Sequence, residues 1–257
     1  MTEEKHEIDL LDSTYPLLQE FRRACPGTYK HSQTLVSIIE AVAMDLGLGI
    51  TSMKIRAMYH DIGKMLNPLY FSENQGDTNR HDEIIDPYMS VQILSRHVSD
   101  SVMILINDNN FPREIIESIS RHHGTSLFKY FFNIHKKNFE LGTITEKDEQ
   151  NYRYKTTKPQ TIEDAILMIT DCVEASTRSM SQNGKLEDVG KHVDNILQEL
   201  MDDGQLNDVT MKLGDLGKIK QTLKNELSGL YQKRVDYSKE ELTSEEKNVN
   251  EKDKKDK

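Results

Sequence analysis

Apolar residues recur at intervals of three and four along nearly the whole chain, and long Val/Ile/Thr alternation is absent, so the pattern predicts an all-α protein. Leu35, Ile38, Ile39, Val42, Ala43 and Leu46 define one helix that stops at Gly47. A second is expected from about Ser52 to His60. Asp86-Pro87 supplies a cap and a first-turn proline for a third, with Val91, Leu94 and Val98 on its inner face. Pro112 starts a fourth, carrying Ile115, Ile116 and Ile119 up to His122. After a polar stretch from Lys136 to Gln160, read as a loop, Thr161 and Asp164 form a capping-box start for a fifth helix reaching about Met180. Val189, His192, Val193, Ile196, Leu197, Leu200 and Met201 mark a sixth.

Toward the end, Leu206, Val209, Leu213, Leu216, Leu223, Leu227 and Leu230 repeat at threes and fours, with Lys220 out of pattern and Gly214 and Gly217 as expected interruptions. A heptad-like seam is compatible with a homodimer, but packing on its own domain is the preferred reading. The other long loop candidate, Asn67 to Ile85, is polar and aromatic and borders the strongest motif. The expected organisation is a lead-in over 1–15, a folded domain over 16–237 and a charged, disordered tail over 238–257, where six Lys and seven acids accompany only Leu242 and Val249.

The chain has 257 residues and a formal net charge of −10 at pH 7. That balance disfavours duplex nucleic acid and membrane-surface binding, both of which need a broad basic face. Cys25 and Cys172 stand far apart without a CxxC partner, as in a reduced cytoplasmic protein. No run approaches the ~18 apolar residues of a membrane span, and the acidic start lacks a secretion-signal layout.

Histidine changes the picture. Nine are present, and His31, His60, His97 and the pair His122-His123 are each placed at the end of a different predicted helix. His60 is followed by Asp61, whose side chain would point about 100° away on a continuous helix, so both serve one site only from a helix end or with ligands arriving from elsewhere. Asp171 intrudes into the apolar string AILMITDCV and must be paired, capped or metal-bound; a salt bridge to Arg178, with Glu174 between, is the alternative to ligation. Five histidines and two aspartates suffice for two ions, one held by two of each type and the other by three histidines and a shared aspartate. Imidazole and carboxylate together with open octahedral positions suit iron or manganese better than structural zinc. Two such ions at roughly 3.5–4 Å can share a hydroxide nucleophile and clamp a phosphoryl oxygen. Their positive charge would let a pocket attract phosphate on an acidic protein, with Lys64 and Arg178 adding to it.

These residues, in this order, resemble an HD-domain phosphohydrolase, and more narrowly the cytoplasmic HD domain of the seven-transmembrane-receptor HD family, phosphodiesterases that open cyclic di-AMP. The strings that carry the resemblance are PLLQEFRRACPGTYKHS, YHDIGK, FSENQ with NRHDEIIDP, SRHV, RHHGTSLFKYFF, KPQTIEDAILMITDCVEASTR and GDLGKIKQTLKNELSGLYQKRVDY, spanning about Pro16 to Tyr237. The resemblance implies an all-α HD bundle with a binuclear iron or manganese site: His31, His60, Asp61 and Asp171 around one ion, and Asp61, His97, His122 and His123 around the other. Asp61 and Lys64 would then be catalytic, with Lys64, Tyr70, Asn74 and Arg178 against substrate. Asn74, His81 and Asp82 would hold the loop over the site, and Tyr70, Phe71, Phe128, Tyr130 and Phe131 could line an adenine pocket.

The implied activity is hydrolysis of a cyclic dinucleotide, cyclic di-AMP to the linear pApA, by a hydroxide bridging the metals. Alternatives are another HD nucleotide phosphohydrolase acting on guanosine tetraphosphate or dNTPs, and a non-catalytic nucleotide-sensing module. HHGTSL stands where the cyclic di-GMP branch carries a Gly-Tyr-Pro element, which argues against that substrate. Cys25 and Arg80 replace an expected alanine and proline. The family's receptor portion and membrane helices are absent from this chain, so a free-standing cytoplasmic protein and the cytoplasmic domain of a membrane protein are both compatible with it.

Overall fold

A computed structural model describes residues 10–76, 78–138 and 145–232. They form ten α-helices and several short 3₁₀ turns, and among the described residues the β structure is confined to one antiparallel bridge, Leu127 to Arg153. In chain order the helices are α1 (Pro16–Ala24), α2 (Pro26–Leu46), α3 (Ile50–Tyr59), α4 (Pro87–Asp108), α5 (Arg113–Arg121), α6 (Lys129–Asn138), α7 (Glu146–Asn151), α8 (Ile162–Gln182), α9 (Val189–Asp202) and α10 (Leu213–Leu227).

Two apolar clusters organise them. One gathers Leu35, Ile39 and Val42 of α2 with Ile166 and Ile169 of α8, Val193 and Leu197 of α9, and Ile219, Leu223 and Leu227 of α10. The other joins Leu18 and Phe21 of α1 to Leu105 of α4 and to Ile115 and Ile119 of α5. Helix α3 divides its side chains between them: Met53 and Ala57 enter the first cluster, Ile55, Met58 and Tyr59 the second. From Ile55 to Tyr59 every residue of the helix is buried. Its C-terminal end therefore delivers the next two residues, His60 and Asp61, between the two clusters.

Several joints lock that end. Gly63 N–H donates to Ser101 Oγ at 2.8 Å, and Ser101 Oγ donates to the His60 carbonyl at 3.1 Å, tying the turn after α3 to α4. Gly63 is required by proximity, since a Cβ there would lie 2.1 Å from the His97 carbonyl oxygen and 2.4 Å from the Ser101 nitrogen. Helix α8 opens with the predicted Thr161–Asp164 capping box, and Asp164 Oδ2 also reaches Arg121 at the end of α5. Gly124, at φ +51°, ends the turn that carries His122 and His123.

Some expectations change. The 136–160 stretch is not one loop: α6 extends to Asn138, and α7 has its own capping box from Thr145 and Asp148. Gly214 and Gly217 do not interrupt α10, because both face open space and cost only propensity, about 1 kcal/mol each. Leu206 and Val209 lie before α10; of the seam, Leu223 and Leu227 are buried within the domain together with Ile219, whereas Leu213 and Leu230 are exposed. Neither His97 nor His31 is at a helix end: His97 is in the middle of the 22-residue α4, whose apolar face continues through Leu105, and His31 lies in the second turn of α2, which begins at Pro26. The 1–9 part of the lead-in and the 238–257 tail lie outside the described residues.

Gly63→Ala should destabilise the fold by about 3 kcal/mol or more, because both contacts opposing the new methyl are backbone atoms that cannot swing aside. Chemical denaturation of the variant beside the parent measures it.

Candidate metal centre

The helix break after Tyr59 resolves the geometry of the His-Asp pair. His60 keeps helical angles, whereas Asp61, at φ −107° and ψ 13°, leaves them and turns its carboxylate toward the His60 ring. Asp61 Oδ2 lies 3.1 Å from His60 Nε2 and 2.7 Å from Lys64 Nζ. Its Oδ1 faces the opposite way, 3.2 Å from His97 Nε2 and 3.7 Å from His122 Nε2. On the His60 side stands Asp171 of α8, with Oδ1 3.0 Å from His31 Nε2 and 3.6 Å from His60 Nε2, and Oδ2 3.9 Å from His123 Nδ1. The structure thus brings all seven sequence-predicted ligands together in two groups, Asp61-His97-His122-His123 and His31-His60-Asp171; within each, one ligand atom per residue falls within 4.8 Å of the others. The expected alternative for Asp171 does not form: Arg178 pairs with Glu174 at 3.3 Å.

Three of the imidazoles are aimed by the backbone. His60, His97 and His122 each donate Nδ1–H to the carbonyl three residues earlier, at 2.9, 2.6 and 2.6 Å. In a neutral ring, as at His97 and His122, that bond puts the proton on Nδ1 and leaves Nε2 as a lone pair pointing inward; His60, between Asp61 and Asp171, carries a second proton on Nε2 when no cation is bound. His97 Nε2 and His122 Nε2 consequently face each other at 3.5 Å, two acceptors for which neither ring supplies a proton. Asp61 Oδ1 is buried and lacks a hydrogen-bond partner. Such a donor set fits divalent cations.

The electrostatics agree. Burial alone would raise the Asp61 carboxyl, but the charges of His60 and Lys64 hold it well below the usual carboxylate range. Asp171 is likewise held down against burial by hydrogen bonds from His31 and His60. Burial pushes His122 and His123 down, and neighbouring imidazoles push the same way. For His60 burial is outweighed by Asp61 and Asp171, which move it up to about 10. Metal-free, the cluster balances its carboxylates with protonated imidazole and Lys64; a cation would replace those protons.

The cluster lies at one wall of a cavity of about 640 Å³. Lys64 and Arg178 line it, but both are engaged by carboxylates: Lys64 Nζ lies 2.8 Å from Glu73 Oε1 in addition to Asp61, and 4.8 Å from the Phe71 ring centre. Tyr70 does not line the cavity. Its ring packs edge-on against His81 and its carbonyl accepts from His81 Nε2 at 2.9 Å. Asn74 is occupied elsewhere as well: Oδ1 accepts from the Gly27 and Thr28 backbone at 3.0 and 3.2 Å, capping α2 where Cys25 cannot. It holds the loop, as His81 does, whereas Asp82 only accepts from Asn79 within its own turn. Of the five candidate pocket aromatics, Phe71 and Phe128 line the cavity, Phe131 belongs to a small core cluster and Tyr130 is 65% exposed.

Four residues at the site carry no individual motif signal. Glu73 holds Lys64 and accepts from Thr28 Oγ1 at 2.9 Å. Glu174 lies 2.6 Å from His31 Nδ1; its place one turn after Asp171 on a buried face was the available clue. Tyr154 stacks on His123 with ring centres 4.4 Å apart, brought there by the 127–153 bridge, and Tyr231 reaches the cavity from the chain's far end.

The HD domain family matches residues 28–176, more than half the chain, and the protein belongs to that family. The chain is 36% identical over 231 residues to the cyclic-di-AMP phosphodiesterase PgpH of Listeria monocytogenes serotype 1/2a (strain 10403S), and 34% identical over 230 residues to that of Bacillus subtilis (strain 168). Each alignment covers 90% of this chain but 31% of the relative, so the chain spans about a third of their length. It is also similar to the crystal structure of the L. monocytogenes PgpH HD domain in complex with cyclic-di-AMP, with a TM-score of 0.74 and 36% identity over 84% of this chain and 97% of that one. The helical architecture is that of the HD domain. No helix among the described residues is long and apolar enough to cross a membrane.

The Glu73 clamp predicts a pH dependence. Burial would raise this carboxyl, but Lys64 outweighs it and holds it at about 2 against an ordinary 4.5. Its contribution is therefore present above pH 4.5 and is lost as pH falls toward 2. Glu73→Gln should cost about 2 kcal/mol at pH 7, and the gap from the parent should close across that acid window in urea denaturation measured pH by pH.

Proposed function

We propose that the protein is a metal-dependent phosphodiesterase that opens a cyclic dinucleotide, with cyclic di-AMP converted to linear pApA. The observation that carries this reading is the Asp61 carboxylate, whose two oxygens face two separate ligand groups at the wall of a cavity of dinucleotide size. His31, His60, Asp61 and Asp171 would hold one cation and Asp61, His97, His122 and His123 the other, with iron or manganese as the metals. When bound, two such cations offset the phosphodiester's charge and acidify the attacking water. Similarity to an HD domain solved with cyclic-di-AMP supports the substrate class.

The remaining tasks fall to the chain's own residues. Lys64, held between Asp61 and Glu73, presents its ammonium at the cavity wall, where charge builds on the phosphoryl oxygens as one P–O bond to ribose breaks. Arg178 and the exposed Lys30 line the same cavity and can meet the second phosphate. Phe71, Phe128 and Tyr154 give the cavity aromatic surface for a base to pack against. The reading implies a cytoplasmic site of action, where such nucleotides are found.

Incubating Mn²⁺- or Fe²⁺-loaded protein with cyclic di-AMP, cyclic di-GMP, guanosine tetraphosphate and dNTPs should convert cyclic di-AMP to pApA fastest. Hydrolysis of another nucleotide with cyclic di-AMP untouched would instead assign a different HD hydrolase, and binding without any turnover a sensor. Asp61→Ala should lower turnover roughly 100-fold or more, since it removes the carboxylate common to both groups.

A further inference from the structure

The histidines of the cluster are not aimed in the same way. His60, His97 and His122 each use a backbone carbonyl on their own helix or turn. His31 instead sets Nε2 against Asp171, at 3.0 Å, and Nδ1 against Glu174 Oε2, at 2.6 Å. Glu174 is fully buried, and its other oxygen accepts from Tyr231 Oη, with Arg178 Nε 3.3 Å away. With both oxygens engaged, and lying beyond the far nitrogen of His31, Glu174 is outside both ligand groups. Tyr231 belongs to the single π-helical turn Ser228–Gln232 that follows α10, and is itself buried in the larger apolar cluster.

We propose that Glu174 and Tyr231 are positioning residues for His31, and that through them the affinity of the metal position on the His31 side depends on how the Ser228–Gln232 turn after α10 is seated. A carboxylate partner fixes the imidazole's tautomer and makes it a stronger donor to a cation than a carbonyl partner does. A carbonyl on the histidine's own helix moves with it, whereas Glu174 is held in turn by a residue from a different element. The other cation position, served by His97 and His122 through backbone carbonyls, lacks this dependence. The two positions thus differ in what holds them: one is fixed by α4 and the turn after α5, the other is tied in addition to the turn after α10.

The inference rests on the two-metal reading above, and its test uses no substrate, so the two fail separately. Chelator-treated chain is titrated with Mn²⁺, and free Mn²⁺ is read by electron paramagnetic resonance to give two dissociation constants. Glu174→Gln should raise one of them by about 10- to 100-fold and leave the other unmoved. Tyr231→Phe, which removes one oxygen, should raise the same constant by a smaller factor. Constants unmoved in a folded Glu174→Gln protein, or both raised equally, would overturn the inference. If Glu174→Gln fails to fold, Tyr231→Phe decides alone: a rise in a single constant supports the inference and no change overturns it. Parent protein that binds no Mn²⁺ would overturn the two-metal reading itself, while parent protein that binds two ions yet cleaves no nucleotide leaves this inference standing.

Discussion

The Asp61 carboxylate, buried and shared between two groups of imidazoles, is the constraint around which the fold is arranged. A carboxylate withdrawn from water costs several kcal/mol unless it is met by opposite charge in good geometry. Here Lys64 at 2.7 Å and His60 at 3.1 Å meet one oxygen, but the other faces His97 and His122, whose Nε2 atoms are lone pairs because their Nδ1 protons are committed to carbonyls. That side of Asp61 is an array of acceptors, and the protein's own protons satisfy it poorly. Helix propensity and core packing do not explain why such an array is held together; a demand for external cations does.

Holding it requires the seven residues to arrive from several directions with little slack. They come from α2, the break after α3, the middle of α4, the turn after α5, and α8. The C-terminal half of α3 makes this workable, because its burial between two clusters fixes the position of its end to the precision of core packing. The close approach at Gly63 and the double role of Ser101 then set α4, and hence His97, against that end. On the other side, Asp164 both caps α8 and reaches Arg121, so the helix carrying Asp171 and the turn carrying His122 and His123 are fixed relative to each other. The loop over the cavity is held through α2: Asn74 caps that helix from outside and Glu73 beside it clamps Lys64.

This division explains what the sequence discloses. Helix starts with local chemistry, Asp86-Pro87 and Thr161 with Asp164, are legible because the cap lies within four residues of what it caps. The histidine and aspartate cluster is legible because these residues are conspicuous on apolar helices. What escapes is long-range. Asn74 resembles a substrate contact until its partner is found 46 and 47 residues away at the start of α2. Tyr70 and Phe71 are neighbours with the same aromatic character, and only the 3₁₀ turn between Pro68 and Tyr70 decides that Phe71 faces the cavity and Tyr70 faces His81. Tyr154 and Tyr231 reach the site through a bridge and a terminal turn that no periodicity announces. His97 escapes for the opposite reason: its motif suggests an end, while the apolar period carries α4 a further eleven residues.

Charge is where the sequence and the site seem to disagree most. The chain carries −10, yet the proposed substrate is a dianion. The cationic side chains that line the cavity do not remove the difficulty, because Lys64 is neutralised by Asp61 and Glu73, Arg178 by Glu174, and Lys30 is exposed to solvent that screens it. Without cations in the cluster the wall therefore offers phosphate little net attraction, and Glu73 and Asp171 add repulsion. On the proposed reading, metal and nucleotide are thermodynamically coupled: each binds better with the other present, by the same factor. An acidic surface then works in favour of selectivity. Long polyanions are repelled at a distance of about a Debye length, whereas a compact dinucleotide can enter a cavity whose attraction is local and depends on its metals.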